Sequence, residues 1–322
     1  MKKYLCLILG VVLAISLLAG CGEGTADGIY RIAIVQQLDH TSMDQIRDAV
    51  TARLETIGQS EGIAIEWKNF SGANDASLLN QIGAQVVSGG YDAVIPIGTL
   101  AAQCMVTATE GTNIPVIFAA VSDPEAAGLT GLSRVTGTSD ALNTPFILDM
   151  MLAVDPDIGT VGLLYSNSEP NSAGAIAEAR AYLDSKGIAY IEKTGNNASE
   201  VLDAVSALAE RVDAVFTPTD NVIMASEGAV AEILNAKGIP HYAGADSFVT
   251  AGAFATCGVN YPELGRKTAD MAMDVLLTGA VPAFHVMEGG IITVNTDAAA
   301  ALKLDYSALA AMADTLREVT TG

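Results

Sequence analysis

Short β-rich apolar runs alternate with longer amphipathic stretches from residue 30 onward, and the alternation runs through the chain twice. Tyr30–Val35, Ile63–Asn69, Ala93–Ile97 and Pro115–Ala119 read as strands, separated by helices at Ser42–Ile57, Asp75–Ser88 and Leu100–Thr109. The second array has strands at Thr160–Tyr165, Ala189–Lys193, Ala214–Thr217 and His241–Ala243, with helices at Ser172–Lys186, Ser199–Ala209 and Asn221–Ala236. Strands joined by helices of this length make βαβ units, and these build parallel sheets covered on both faces. The chain therefore reads as α/β, with two arrays that break around Gly137–Asn143.

After Phe248 the pattern changes. Gly252–Val259 and Met287–Val294 read as extended, Pro262–Leu277 as a helix, and Thr296–Leu302 and Ser307–Glu318 as helical. A tail of this kind is expected to return to the first lobe, giving two lobes joined by several crossings around a cleft. The expected division is 30–139 plus about 251–285 for the N-terminal lobe, and 140–250 plus about 286–322 for the C-terminal lobe. Crossings are expected near residues 139, 250 and 285.

The 322 residues carry 16 Lys plus Arg against 37 Asp plus Glu, a net charge of −21. Such a balance excludes a nucleic-acid binder, which needs a basic face, and a polybasic membrane-surface protein. Hydrophobic residues make up 50% and charged ones 16%, which excludes a disordered chain. The amino terminus is an address: Lys2 and Lys3, then an apolar run from Tyr4 to Leu18, then Leu18-Ala19-Gly20-Cys21. Residues 1–20 read as a signal peptide whose ending resembles a bacterial lipobox, with Cys21 lipidated and 21–29 a tether. The body behind it is expected to be soluble, held to the membrane through that lipid alone. Cys104 and Cys257 remain, expected as two buried thiols.

No phosphate-binding G-x-x-x-x-G-K-[ST] loop, G-x-G-x-x-G turn, H-E-x-x-H pair or G-x-S-x-G elbow occurs, and His40, His241 and His285 are far apart. Neither an enzyme, nor a cofactor, nor a metal site is expected. In open parallel sheets ligands bind beyond the carboxyl ends of the strands. There the sequence places Gln36–His40, Gly98-Thr99, Ala120–Pro124, Ser166–Ser172, Pro218–Asn221 and Gly244–Ser247, rich in Ser, Thr, Asn, Asp and Gln and almost free of Lys and Arg. That chemistry suits a small polar or zwitterionic solute, with helix N-termini for a carboxylate and Asp220 and Asp246 for an ammonium. The same residue types are also ordinary helix caps.

Five blocks carry a family resemblance: Ile97–Gln103, Pro115–Pro124, Tyr165–Ser172, Pro218–Asn221 and Gly258–Arg266. In their order they resemble the substrate-binding lipoproteins of ABC transporters, in the tryptophan/tyrosine-type branch, over about residues 30–304. The resemblance implies a type I periplasmic-binding-protein fold, two Rossmann-like lobes around a central cleft. It also implies an extracytoplasmic monomer that delivers a solute, often an aromatic amino acid, to a membrane permease. Carried over, Thr99, Ser122 and Asp123 line the first lobe's side of the cleft. Asn171 and Ser172 meet a carboxylate, while Asp220 and Asn221, assisted by Asp246, hold the amino group. Leu38-Asp39-His40-Thr41 departs from the family's turn. Phe118, Tyr165, Phe248 and Tyr261 are candidates for the ring pocket. A sensor input protein, or a sugar-binding member of the same fold, would use the same cleft.

Overall fold

A computed structural model describes residues 27–322; the signal segment, Cys21 and most of the tether lie outside the described residues. The strands are, in chain order, β1 (Ile29–Gln36), β2 (Ala64–Ser71), β3 (Ala93–Ile97), β4 (Val116–Phe118), β5 (Val135–Ser139), β6 (Thr160–Tyr165), β7 (Ala189–Thr194), β8 (Ala214–Thr217), β9 (His241–Ala243), β10 (Ala255–Gly258), β11 (His285–Val286), β12 (Ile291–Asn295) and β13 (Thr315–Val319). They form two sheets, each the centre of an α/β lobe. The first has the order β11-β5-β4-β3-β1-β2 and is parallel throughout. The second has the order β13-β12-β10-β9-β8-β6-β7 and is parallel except where β12 runs against β10.

The central strands are apolar on both faces because helices cover both. Every residue of β3 and of β8 is buried. Helix starts follow from side chains that satisfy free backbone N–H groups. Asp75 accepts from Ser77 N and Leu78 N to open the Ala76–Ser88 helix. Asn260 accepts from Glu263 N to open the Tyr261–Thr278 helix, with Pro262 in its first turn. This last helix packs on the Thr41–Glu61 helix at Gly265, where a Cβ would stand 2.6 Å from the Ile46 carbonyl oxygen. The two backbones meet there because glycine leaves the room.

Three crossings join the lobes. The first follows β5, near the expected residue 139. The second falls later than expected: β10 pairs with β9 and β12, so residues 255–258 belong to the second sheet and the chain crosses after Gly258. The third follows β11, which stays in the first sheet through Val286. The tail also departs from expectation. Ser307–Ala311 is a 3-10 turn, and residues 315–319 form β13 instead of continuing a helix. The expected Asn221–Ala236 helix is two helices, Asn221–Met224 and Glu227–Lys237. Cys104 and Cys257 are free and buried. Among the described residues no helix is long and apolar enough to cross a membrane.

Candidate functional site

Residues that follow β1, β2, β3, β4 and β5 in one lobe meet residues that follow β6, β8 and β9 in the other. Among the described residues five side-chain hydrogen bonds span the gap. Gln37 Nε2 donates to Glu169 Oε1 at 3.3 Å, and Asn74 Nδ2 donates to the same oxygen at 3.4 Å. His40 Nε2 meets Asn221 Oδ1 at 3.3 Å, and Ser42 Oγ donates to Asp246 Oδ1 at 3.2 Å. The Ser122 and Thr219 hydroxyls lie 3.1 Å apart. The cleft is shut, around a narrow space of about 40 Å³.

Its apolar lining is Met43 and Ile46 from the Thr41–Glu61 helix, with Met224, Ala245 and Phe248 from the opposite lobe. Its polar lining includes Thr99, Ser122, Asp140, Asn171 and Thr219, and it contains neither Lys nor Arg. Asp140, in the first crossing, is 6% exposed and accepts from Ser122 Oγ at 3.0 Å. Burial raises its carboxyl above the ordinary value, while Ser122 and the Tyr261 hydroxyl pull it part of the way back. Among the described residues no cation acts on it. A buried carboxylate without a cation is costly to keep ionised. This one lines a cleft, so a ligand ammonium can supply the missing charge. Tyr261 is itself held neutral, its hydroxyl pushed well up by burial and by the Asp140 and Asp246 charges.

Glu169 fixes a second feature. Asn221 Nδ2 donates to Glu169 Oε2 at 2.8 Å, so the amide's Oδ1 is the atom turned to His40. His40 Nε2 must then be the donor, and burial keeps the ring neutral by lowering its pKa. Its Nδ1 is left as an acceptor, buried and without a partner among the described residues. Ser247 Oγ and Asn171 Oδ1, on two other residues of the lining, are likewise buried and have no partner among the described residues.

Of the residues expected from sequence, Thr99, Ser122, Asn171 and Asn221 line the cleft space, and Asp123, Ser172, Asp220 and Asp246 do not. Asp123 caps the turn after β4, taking Ala126 N at 2.9 Å, and borders an outer groove with Gly174 and Glu178. Asp220, expected to hold an ammonium, is met instead by four donors of its own lobe. Its Oδ1 accepts from Val222 N and Ile223 N at 3.0 Å each, and its Oδ2 from Ser166 N and Ser172 Oγ at 2.7 Å each. It caps a helix and ties it to β6, and Ser172 is spent on the same task. Asp246 joins the lobes at the rim through Ser42, with Arg317 at 3.7 Å. Phe248 and Tyr261 line the space; Phe118 lies in the first lobe's core, and the Tyr165 hydroxyl donates to Glu192.

Sequence reasoning passed over Asp140 and Glu169 as ligand or closure residues and left His40 aside. A usable signal for Asp140 was its position: it ends a strand at the break between the arrays, where a crossing must border the cleft. Among the described residues no group of His, Cys, Asp and Glu could hold a metal ion.

Residues 31–315 match the family model of the ABC transporter substrate binding protein. The tyrosine-binding protein of Clostridioides difficile (strain R20291) is 32% identical over 325 residues, covering 94% of this chain and 93% of that one. Among solved structures, the L-Trp complex of an ABC domain from Streptococcus pneumonia has a TM-score of 0.83 at 27% identity, over 89% of this chain and 99% of that one. The ligand-free, open structure of a substrate-binding protein with adhesive properties from Clostridium difficile has a TM-score of 0.69 at 30% identity, over 91% and 100%.

Proposed function

The chain belongs to the ABC transporter substrate-binding protein family, and on that premise we propose that it captures an aromatic amino acid by closing its cleft. As a member of that family it is the extracytoplasmic, solute-binding component of an ABC importer, acting by binding and release to a permease. The amino-acid assignment is supported by one observation above the rest: Asp140 is a buried carboxylate that no cation among the described residues meets, in a lining free of Lys and Arg. The solute's ammonium pairs with Asp140. Its carboxylate meets the Thr99 hydroxyl at the first turn of the Thr99–Ala108 helix, where free N–H groups favour an anion. Its ring lies against Met43, Ile46, Met224 and Phe248.

Closure is favoured only by as much as the solute binds the shut form better. Ligand analogues test the orientation. L-Tyrosine should bind, and 3-(4-hydroxyphenyl)propionate, which lacks the ammonium, should be lost from calorimetry at matched concentrations. Equal binding of the two would remove Asp140 from the assignment. We also infer, from Leu18-Ala19-Gly20-Cys21, that a lipid on Cys21 anchors the protein to the outer face of the cell membrane. Metabolic labelling with an alkynyl fatty acid should mark the wild type and not Cys21→Ser.

A further inference from the structure

We propose that Glu169 is a latch that ties the lobes together only in the shut form and takes a proton from solvent as it does so, coupling solute capture to proton uptake. The inference rests on the cleft closure proposed above. Glu169 stands just ahead of the Pro170–Lys186 helix, yet its side chain does not cap that helix. Its carboxylate instead lies between the lobes, 3% exposed. Oε2 is held within its own lobe by Asn221, and Oε1 receives both of its donors, Gln37 and Asn74, from the opposite lobe. That opposite half is preformed: Gln37 Nε2 also donates to Asn74 Oδ1 at 2.8 Å, and Leu100 N donates to Gln37 Oε1 at 3.0 Å. Glu169 does not line the solute space, so it acts as a positioning residue through closure.

The three partners are neutral amides, and no Lys or Arg pairs with Glu169 among the described residues. Two charged or titratable neighbours face it. Asp220, on its own lobe, is ionised against four donors and repels it. His40, on the opposite lobe beyond Asn221, is kept neutral by burial, with Asp39 and Asp44 behind it. Burial and the Asp220 charge push the Glu169 carboxyl up to about 7 in the shut form, while Asn221 and Asn74 pull it down. Opening returns it to water and to an ordinary carboxylate value of about 4.3. The group is raised in the shut form, so closure is favoured below about 7 and loses that advantage as pH rises through it. Asp140 acts in the opposite sense, since protonating it removes the ammonium's partner.

Calorimetry with L-tyrosine and L-tryptophan, in buffers of different ionisation enthalpy, counts the protons. For the wild type we expect proton uptake between pH 6 and 7 and affinity about tenfold weaker at pH 8 than at pH 6, the slope set by up to one linked proton. Glu169→Gln should bind with no proton uptake in that range and no such weakening. Should that variant fail to fold, Glu169→Ala takes its place, with weaker binding at both pH values and again no proton count. A wild type that takes up no proton, or a folded variant that keeps the wild-type pH response, overturns the latch. Absence of binding by either amino acid at any pH overturns the proposed solute instead. The latch is then decided by small-angle scattering of the ligand-free protein. The wild type should contract from pH 8 to pH 6 and Glu169→Gln should not; equal responses overturn the latch.

Discussion

The Ser122 hydroxyl donates to the Asp140 carboxylate across 3.0 Å, and the same hydroxyl lies 3.1 Å from Thr219 of the opposite lobe. One serine thus touches the charged group that lacks a partner and the lobe that shuts over it. Solute charge and lobe closure meet at this point, and several consequences can be measured.

Asp140→Asn should leave the fold intact and weaken binding of aromatic amino acids by about 30-fold or more. That corresponds to about 2 kcal/mol or more for losing one partner of a buried charge pair. Titration calorimetry on the refolded variant measures it; affinity within twofold of the wild type would take Asp140 out of the site.

The stability of the ligand-free protein should carry the mark of the same carboxylate. Asp140's value is raised in the fold, so the folded state binds that proton more tightly than the unfolded chain does. Its contribution therefore favours folding at low pH and is lost as pH rises through the raised value. Asp140→Asn should melt higher than the wild type at pH 7, with the gap narrowing on acidification, as followed by circular dichroism. A gap that widens on acidification contradicts the sign.

Asp220→Ala should be a stability mutant. It removes a helix cap and leaves Ser166 N and Ser172 Oγ without their acceptor, a loss of about 2–4 kcal/mol. Urea unfolding of the ligand-free variant checks it. An unchanged midpoint with lost ligand binding would restore Asp220 to the ammonium.

The unpartnered His40 Nδ1 acceptor predicts that solutes with a donor on the ring, tyrosine or tryptophan, bind better than phenylalanine. His40→Leu should narrow that preference by about fivefold, the worth of about one neutral hydrogen bond. Competition between the three amino acids, read on the wild type and the variant, decides it. A preference that survives the substitution unchanged would place the ring donor elsewhere.

The alternating pattern of apolar runs located β1, β3, β6 and β8 to within a residue or two, because each is buried on both faces and bounded by turns. It failed where long-range pairing decides. Residues 315–319 look helical beside Leu309 but are strand because β12 offers them an edge. Ser226 breaks the expected Asn221 helix, with its N–H bonded to the Ile223 carbonyl. In the cleft, the polar strand ends were legible as a set while their roles were not. Asp220 and Asp140 are both aspartates following strands. Four donors separate the cap from the candidate ligand group, and two of them, Ser166 and Ser172, are placed only once β6 and β8 lie side by side.

The most direct test of the account is titration of the protein with L-tyrosine, after unfolding and refolding to strip any carried solute. The account predicts one-to-one binding, weakened about 30-fold or more in Asp140→Asn. A folded protein that gives no heat with tyrosine, tryptophan or phenylalanine would contradict it.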